Sequence, residues 1–446
     1  MAKNLAPLLI ELKSTVGPSL EILTEKGDNR FRELAKRWTD IGRETPAAII
    51  LPGSEEQIRQ TVEWAVRSSV PFVPRSGGHS EWSTIGEDGI VIDLSKYNGI
   101  EIDIDHEKAT LKGSILSKQV ATALAEAGFF TGGGASITTS ITGFGSDQIL
   151  SARMIDARGE MIEVTEKEPD LLWAIRGAGQ FFGLVTELTI KVHPLSKLGN
   201  AQGSIWVGSF VFALERAQDV ARAMKPLMDD DSKATAGLMM IMAPPPARKP
   251  CLVIAARFTG NLENAEEAYK PLYDLGPIAA NGSPVPIQNT SDGREALAAK
   301  GGYKRFGVVG LRRFDVDKFL QVVDVWNTLV QECPDAINTA FNFQWDARFP
   351  KKPDFDSAMS LHDIRYWQNN LIWHTDSANQ QKVDESNDKS IEIMRGPDRS
   401  EYADFQNGTR TGPIGLRFRG EGKVERLKSL KKHWDPQGVF TRQLLD

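Results

Sequence analysis

Cysteine is nearly missing from this chain: Cys251 and Cys333 are the two among 446 residues. They stand far apart and match no zinc or redox spacing, which excludes a disulfide framework and predicts two buried free thiols. Six histidines are scattered without metal-ligand spacing, so no metal site is expected. Basic excess is lacking too. The net charge is -6, which supplies no positive field for phosphate backbones and argues against a nucleic-acid partner. Long hydrophobic runs are absent. The apolar stretch near the N-terminus is broken by Glu11 and Lys13 and reads as a short amphipathic helix rather than a secretory leader. Nothing approaches the ~20 apolar residues that span a bilayer. A cytoplasmic protein without membrane partner is the expectation.

What is present is an ordinary globular balance, with 41% hydrophobic and 25% charged residues, enough for roughly two to four domains. PAAIILP at 46–52 predicts a short buried strand. Ser54 then caps a helix with Gln57 as its partner three residues on, and Ile58, Val62, Ala65 and Val66 fall on one face. Two further strands, VPFVPR and GIVIDLS, complete a β-α-β-turn-β unit over 46–95. A strand at 109–116 leads into a helix capped by Ser117 and stopped by Gly128. Residues 131–146, TGGGASITTSITGFGS, predict loop. QILSARMIDARGEMIEV predicts two strands around a turn, and LLWAIRGAG a short helix before the long alternating strand GLVTELTIKVHPL.

Composition shifts near residue 196. From there SIWVGSFVFAL, a hairpin around a proline-rich turn, helices at 213–229, 262–273 and 315–332, and a strand at 340–349 predict an antiparallel sheet with helices. Phe341, Phe343 and Trp345 share one face of that strand, as core or as the lining of an apolar pocket. Residues 351–400 read as helical and polar, and the tail ends in a helix, ERLKSLKKHWDP.

Two glycine turns carry the chemistry. PRSGGHS at 74–80 ends a strand, so Gly77 and Gly78 let backbone N–H groups approach an anion or a flat ring, with His79 projecting from the turn. In RGAGQFFGLV at 176–185, Gly177 and Gly179 sit at a helix-to-strand switch, which also suits a diphosphate. This second turn precedes a strand instead of opening a helix, so it is not the Rossmann fingerprint.

The order of these motifs, closing on RLKSLKKHWDPQGVF, resembles the FAD-linked oxidases with a PCMH-type FAD-binding domain, in the berberine-bridge-enzyme-like branch. The resemblance covers residues 40–195 and 400–446, and the middle matches by architecture alone. It implies an α+β fold: a two-part FAD-binding domain, built from an N-terminal block and the C-terminal tail, with a central antiparallel-sheet substrate domain. The boundaries it implies are a helical extension over 1–40, the FAD domain over 41–195, the substrate domain over 196–395, and a returning segment over 396–446. It implies FAD tethered through its 8α-methyl to His79, with Arg75, Ser76, Gly77, Gly78 and Ser80 around the diphosphate, and Gly133, Gly134, Gly143, Gly177, Gly179, Gly183 and Val185 completing the flavin site. A histidyl link would raise the flavin potential.

The chain departs from the family pattern in three places. TGGGASITTSITGFGSD holds no cysteine, so no second, cysteinyl link is expected there, and the stretch is shortened. Asp404 and Phe405 stand where the family often has an asparagine and a basic tyrosine. Phe181 replaces a common asparagine. Asp404 and Tyr402 are therefore the expected catalytic residues, with Tyr303 and Tyr366 as further candidates for the base. The function expected is oxidation of a bulky apolar or aromatic specialised metabolite, with hydride passing to flavin N5 and electrons to oxygen. A non-redox cyclisation, dehydration or isomerisation on the same fold, and a flavin-free binding protein, stand as alternatives.

Overall fold

The computed structural model describes residues 5–80, 83–404 and 413–440. Its first sheet has four strands in the order Glu21–Leu23, Ala48–Leu51, Ile90–Asp93, Phe72–Arg75, the last three parallel. Ala48–Leu51 and Ile90–Asp93 are buried at every position, which is why their sequences run continuously apolar instead of alternating. The crossover helix Glu55–Arg67 buries Ile58, Val62, Trp64 and Ala65. Ser54 accepts from the Gln57 N–H, while the Gln57 side chain reaches back to Gly53 N–H. Both orphan donors at this helix start are thereby satisfied.

A second, antiparallel sheet runs Asn98–Asp103, Lys108–Gly113, Leu184–Lys191, Ile149–Ile155, Met161–Val164. The helix Ser117–Glu126 lies against it, burying Val120 and Leu124 beside Ala109 and Ile190. Ser117 is the first residue of that helix and not its cap. The Gln119 side chain accepts the Leu116 N–H instead.

Residues 204–404 build an eight-stranded antiparallel sheet, in the order Ala279–Pro286, Ser204–Ala213, Cys251–Phe258, Thr235–Met242, Phe341–Asp346, Tyr366–His374, Tyr303–Leu311, Tyr402–Asp404. The helices Ala217–Asp229, Val316–Glu332 and Gln380–Arg395 cover one face. The opposite face turns toward the first half, where Phe144 packs with Ile364, Trp367 and Ala403, and Ile137 and Ile141 pack toward Ile205. After this sheet the chain goes back: Leu427 of Lys423–Trp434 packs with Leu171 and Phe418, and Phe440 joins Leu5, Leu9 and Leu12.

Several sequence expectations change. Residues 351–400 hold a buried nine-residue strand, Tyr366–His374, as well as the helix Gln380–Arg395. Its polarity misled because the Gln368 and Asn370 side-chain NH2 groups are buried while donating to Ser390 and Asn387, and a paired polar group can be buried at little cost. The strands Ala279–Pro286 and Tyr303–Leu311 gave no clear signal. The first is an exposed, proline-bearing edge, where missing N–H groups are tolerated. The glycine-rich stretch contains the turns Thr139–Thr142 and Gly145–Gln148. The helix expected over 262–273 breaks at Tyr269, whose hydroxyl bonds Ala236 O at 3.1 Å and also Arg257 O. Phe341, Phe343 and Trp345 are core under the helices, at 0%, 2% and 1% exposure. Cys251 and Cys333 are buried free thiols. Among the described residues no helix is long and apolar enough to cross a membrane.

Candidate flavin site

A cavity of 780 Å³ opens where the glycine-rich stretch meets the second sheet. Gly133, Gly134, Ser136, Gly145 and Ser146 form one wall, Gly177, Gly179 and Val185 another, and Val120, Ile175, Leu188 and Ile190 the apolar floor. A Cβ added at Gly133 or Gly134 would meet nothing within 4 Å, whereas one at Gly145 would lie 2.4 Å from Gly134 N. The wall is bare backbone held by close packing behind it. Bare N–H groups and hydroxyls beside an apolar slot are what the diphosphate, ribose and adenine of a dinucleotide need. The residues present fit an ADP-type cofactor.

No residue of the turn at 75–80 lines this cavity, but Gly77 lies near its edge. A Cβ at Gly77 would touch Leu116 at 3.9 Å, and Ile115 and Ser117 on either side line the cavity. Gly78 is buried at φ +70, and a Cβ there would sit 3.0 Å from Arg75 Nε. Arg75 is 5% exposed and bonds the fully buried Asp93. Ser76, Gly77, His79 and Ser80 are exposed. The His79 imidazole lies parallel to the Trp38 indole at 5.1 Å and to Phe306 at 6.1 Å. Trp38 is fixed by its own bonds, Nε1–H to Leu297 O at 2.8 Å and N–H to Gly78 O at 3.1 Å.

Phe306 belongs to the uncovered face of the large sheet, which therefore meets the His79 turn. Alternation puts Leu238, Met240 and Met242, then Asn342, Gln344 and Asp346, then Trp367 and Asn369 on that face. The pairing register sets Asn342 opposite Asn369, and each has a buried Oδ1 without a partner among the described residues. Asp346 also keeps one unbonded carboxylate oxygen. Burial pushes its carboxyl up, against the opposing pull of Ser140 and Arg348. Lys304 is 1% exposed, with its ammonium 5.3 Å from the Trp38 ring and 4.7 Å from Trp373.

Other expected residues lie elsewhere. Gly143 and Gly183 are packing glycines: a Cβ at the first would lie 2.7 Å from Asp147 Oδ2, and at the second 2.6 Å from Ile155 O. Asp404 and Tyr402 point to the helix-covered face. Asp404 is 2% exposed and paired with Arg395, and Tyr402 lies in the helix-side core with the Arg395 guanidinium 5.2 Å from its ring. Tyr366 sits on the same side, its hydroxyl bonded to Asp229 at 2.6 Å, and Tyr303 stacks on His374. None of the four reaches the uncovered face. Phe405 lies outside the described residues. Phe181 is fully buried against Phe182 and Phe418. Trp38, Asn342, Asn369 and Asp346 were missed by the sequence reading. Alternation along FNFQWD did carry a signal, since its polar phase marks the other face, but nothing local marked Trp38.

The sequence profile of an FAD-binding domain matches residues 46–165, spanning both the PRSGGHS turn and the glycine-rich wall. An FAD-linked oxidoreductase of Aspergillus fumigatus is 27% identical, over 93% of this chain and 94% of its own length. The chain thus carries an FAD-binding domain and is similar along nearly its whole length to FAD-linked oxidoreductases. Among solved structures, the flavoprotein superposes on the berberine-bridge-enzyme-like protein 1 of Physcomitrella patens with a TM-score of 0.80, at 17% identity, covering 99% of this chain and 98% of the other. It superposes on a glucooligosaccharide oxidase of Acremonium strictum, whose FAD carries 6-S-cysteinyl and 8α-N1-histidyl links, with a TM-score of 0.77, 18% identity and 98% coverage of both. This shared α+β fold of antiparallel sheets matches the fold class expected from sequence.

Proposed function

We propose that this flavoprotein is an oxidase for an apolar or aromatic small molecule, bound on the uncovered face of the eight-stranded sheet beside His79, with electrons passing on to oxygen. The observation that carries the reading is the make-up of that face. Leu238, Met240, Met242 and Val253 are apolar, and in their midst stand the unpartnered oxygens of Asn342 and Asn369. A flat apolar substrate fills such a surface, while the two amides fix its orientation through one hydroxyl or amine. The apolar assignment thus rests on the opposite face from the aromatic stripe that first suggested it.

FAD, when bound, supplies the two-electron acceptor. The chain supplies position and proton transfer. Asp346 is the single carboxylate that the described strands direct to this face, and in this reading it takes the substrate proton. His79 is the proposed covalent tether, since its imidazole is exposed and held flat against Trp38. The A. strictum neighbour's histidyl link supports this assignment.

The test is acid precipitation of the purified yellow protein, followed by flavin fluorescence of the pellet, with oxygen uptake on a panel of phenols and aromatic alcohols. Pellet fluorescence that disappears in His79→Ala supports the tether. Flavin in the supernatant of the parent protein removes it. Substrate turnover without oxygen uptake would replace the oxidase by a non-redox cyclase or isomerase. A colourless folded protein that takes up no added FAD would falsify both.

A further inference from the structure

Arg37 is 4% exposed, and its Nε, Nη1 and Nη2 are all buried without a hydrogen-bond partner among the described residues. Its neighbour in charge is another cation, Arg75, and the nearby carboxylate of Asp93 is already bonded to Arg75. Lys300 stands beside the same Arg75–Asp93 pair. The one buried carboxylate here is thus taken by Arg75, and Arg37 is left without a counter-charge. Burial, with Arg75 adjacent, pushes Arg37 down to about 10, so it still carries its charge at neutral pH. A buried charge with no counterion is costly unless an anion arrives to pair with it.

The backbone around Arg37 is fixed. Arg37 O accepts from Gly301 N–H at 2.9 Å, and the next residue, Trp38, donates to Gly78 O at 3.1 Å. Arg37 is therefore tied to the PRSGGHS turn, in which Ser76 and Gly77 are exposed and Gly77 lies beside Leu116, between the cavity-lining Ile115 and Ser117. A guanidinium presents its N–H groups as a planar fork that matches two oxygens of a phosphoryl group.

We propose that Arg37 is a phosphoryl-anion receptor, which with the 75–80 turn takes one phosphoryl group of the FAD diphosphate. The proposal rests on FAD binding and adds a residue from outside the matched domain, which starts at residue 46.

The test uses full-length His79→Ala protein, where flavin is exchangeable, and compares dissociation constants for FAD and for riboflavin, which has no phosphate. R37Q is expected to weaken FAD roughly tenfold or more while riboflavin stays within about twofold, and R37K to recover part of the loss. Unchanged FAD affinity in R37Q overturns the proposal. So does an equal loss for FAD and riboflavin, which marks a folding role. In the unaltered His79 background, R37Q is expected to purify with less FAD per chain than the parent, and equal loading there also overturns it. Inorganic pyrophosphate separates the two sources of the anion. If it raises the thermal midpoint of the FAD-loaded protein in an Arg37-dependent way, the anion lies outside the cofactor and the assignment to FAD fails.

Discussion

At the scale of single residues, the cavity wall depends on two kinds of glycine. Gly133 faces open space, so a side chain there leaves the fold intact but enters the volume the cofactor needs. Gly133→Leu is expected to keep its unfolding midpoint and lose FAD, as read by the flavin absorbance of the purified protein. Gly145 backs onto Gly134 N. Gly145→Ala is expected to cost ~1–3 kcal/mol of stability, measured by urea unfolding, because the backbone must move. The carboxylate Asp346 gives a further outcome. Asp346→Asn is expected to retain flavin while flavin reduction slows about 10²-fold or more. Its carboxyl is raised by burial above the ordinary 3.8, so the proton-accepting form is lost as pH falls through that raised value. The acid limb of the parent's rate profile should therefore lie above pH 3.8 and vanish in the variant.

At the scale of elements, His193 ties the short strand His193–Pro194, paired with Phe129–Phe130, to the glycine-rich stretch. Its Nε2 meets Gln148 Oε1 at 2.8 Å, and its Nδ1 faces Lys197 Nζ at 3.0 Å. An ammonium can only donate, so Nδ1 accepts and the ring is neutral with its proton on Nε2. Burial first, and then the positive charge of Lys197, push His193 down to about 4 from 6.5. The unfolded chain gains a proton as pH drops below 6.5, whereas the folded one does not until about 4. Stability is thus lost across that window, by about 3 kcal/mol at most. His193→Gln should flatten the urea-unfolding profile between those pH values. A slope unchanged from the parent would remove His193 as its cause. The neighbouring helix Ser117–Glu126 shows how local chemistry shifts a boundary. Gln119, not Ser117, closes its first turn, because a longer amide reaches the Leu116 N–H from inside the helix.

At the scale of the whole molecule, the chain crosses to the large sheet and comes back. Phe440, at 4% exposure, completes a core with Leu5, Leu9 and Leu12 from the other end of the sequence. Phe440→Ala is expected to cost ~3–5 kcal/mol. That loss should appear in one cooperative transition if the two ends stabilise a single unit, and a separate early transition would show that the tail folds apart from the N-terminal block. The 780 Å³ cavity lies among these packed layers, lined by Gly133 and Ser136 on one side and by Ile287 and Gln288 from the large-sheet segment on the other.

The sequence by itself determined the parts whose signals are local. Continuous apolar runs gave the buried parallel strands, a capped amphipathic pattern gave Glu55–Arg67, and glycines marked the turn at 75–80 and the helix-to-strand switch at Gly177 and Gly179. These survive because strand alternation, capping and glycine geometry act within a few residues. The tertiary structure alone decided which face each strand presents. It sent Phe341, Phe343 and Trp345 into the core and turned Asn342, Gln344 and Asp346 toward the first half of the chain. It directed Asp404, Tyr402, Tyr303 and Tyr366 toward the helix layer, and it buried Gln368 and Asn370 by pairing them with a helix that follows later in the chain. It also set Trp38 against His79 and Arg37 beside Arg75. Period-2 alternation separates two faces but cannot say which one a distant helix will cover. That choice follows from the packing of the entire chain, where one sheet face gains the most by excluding water and the other stays free for a ligand.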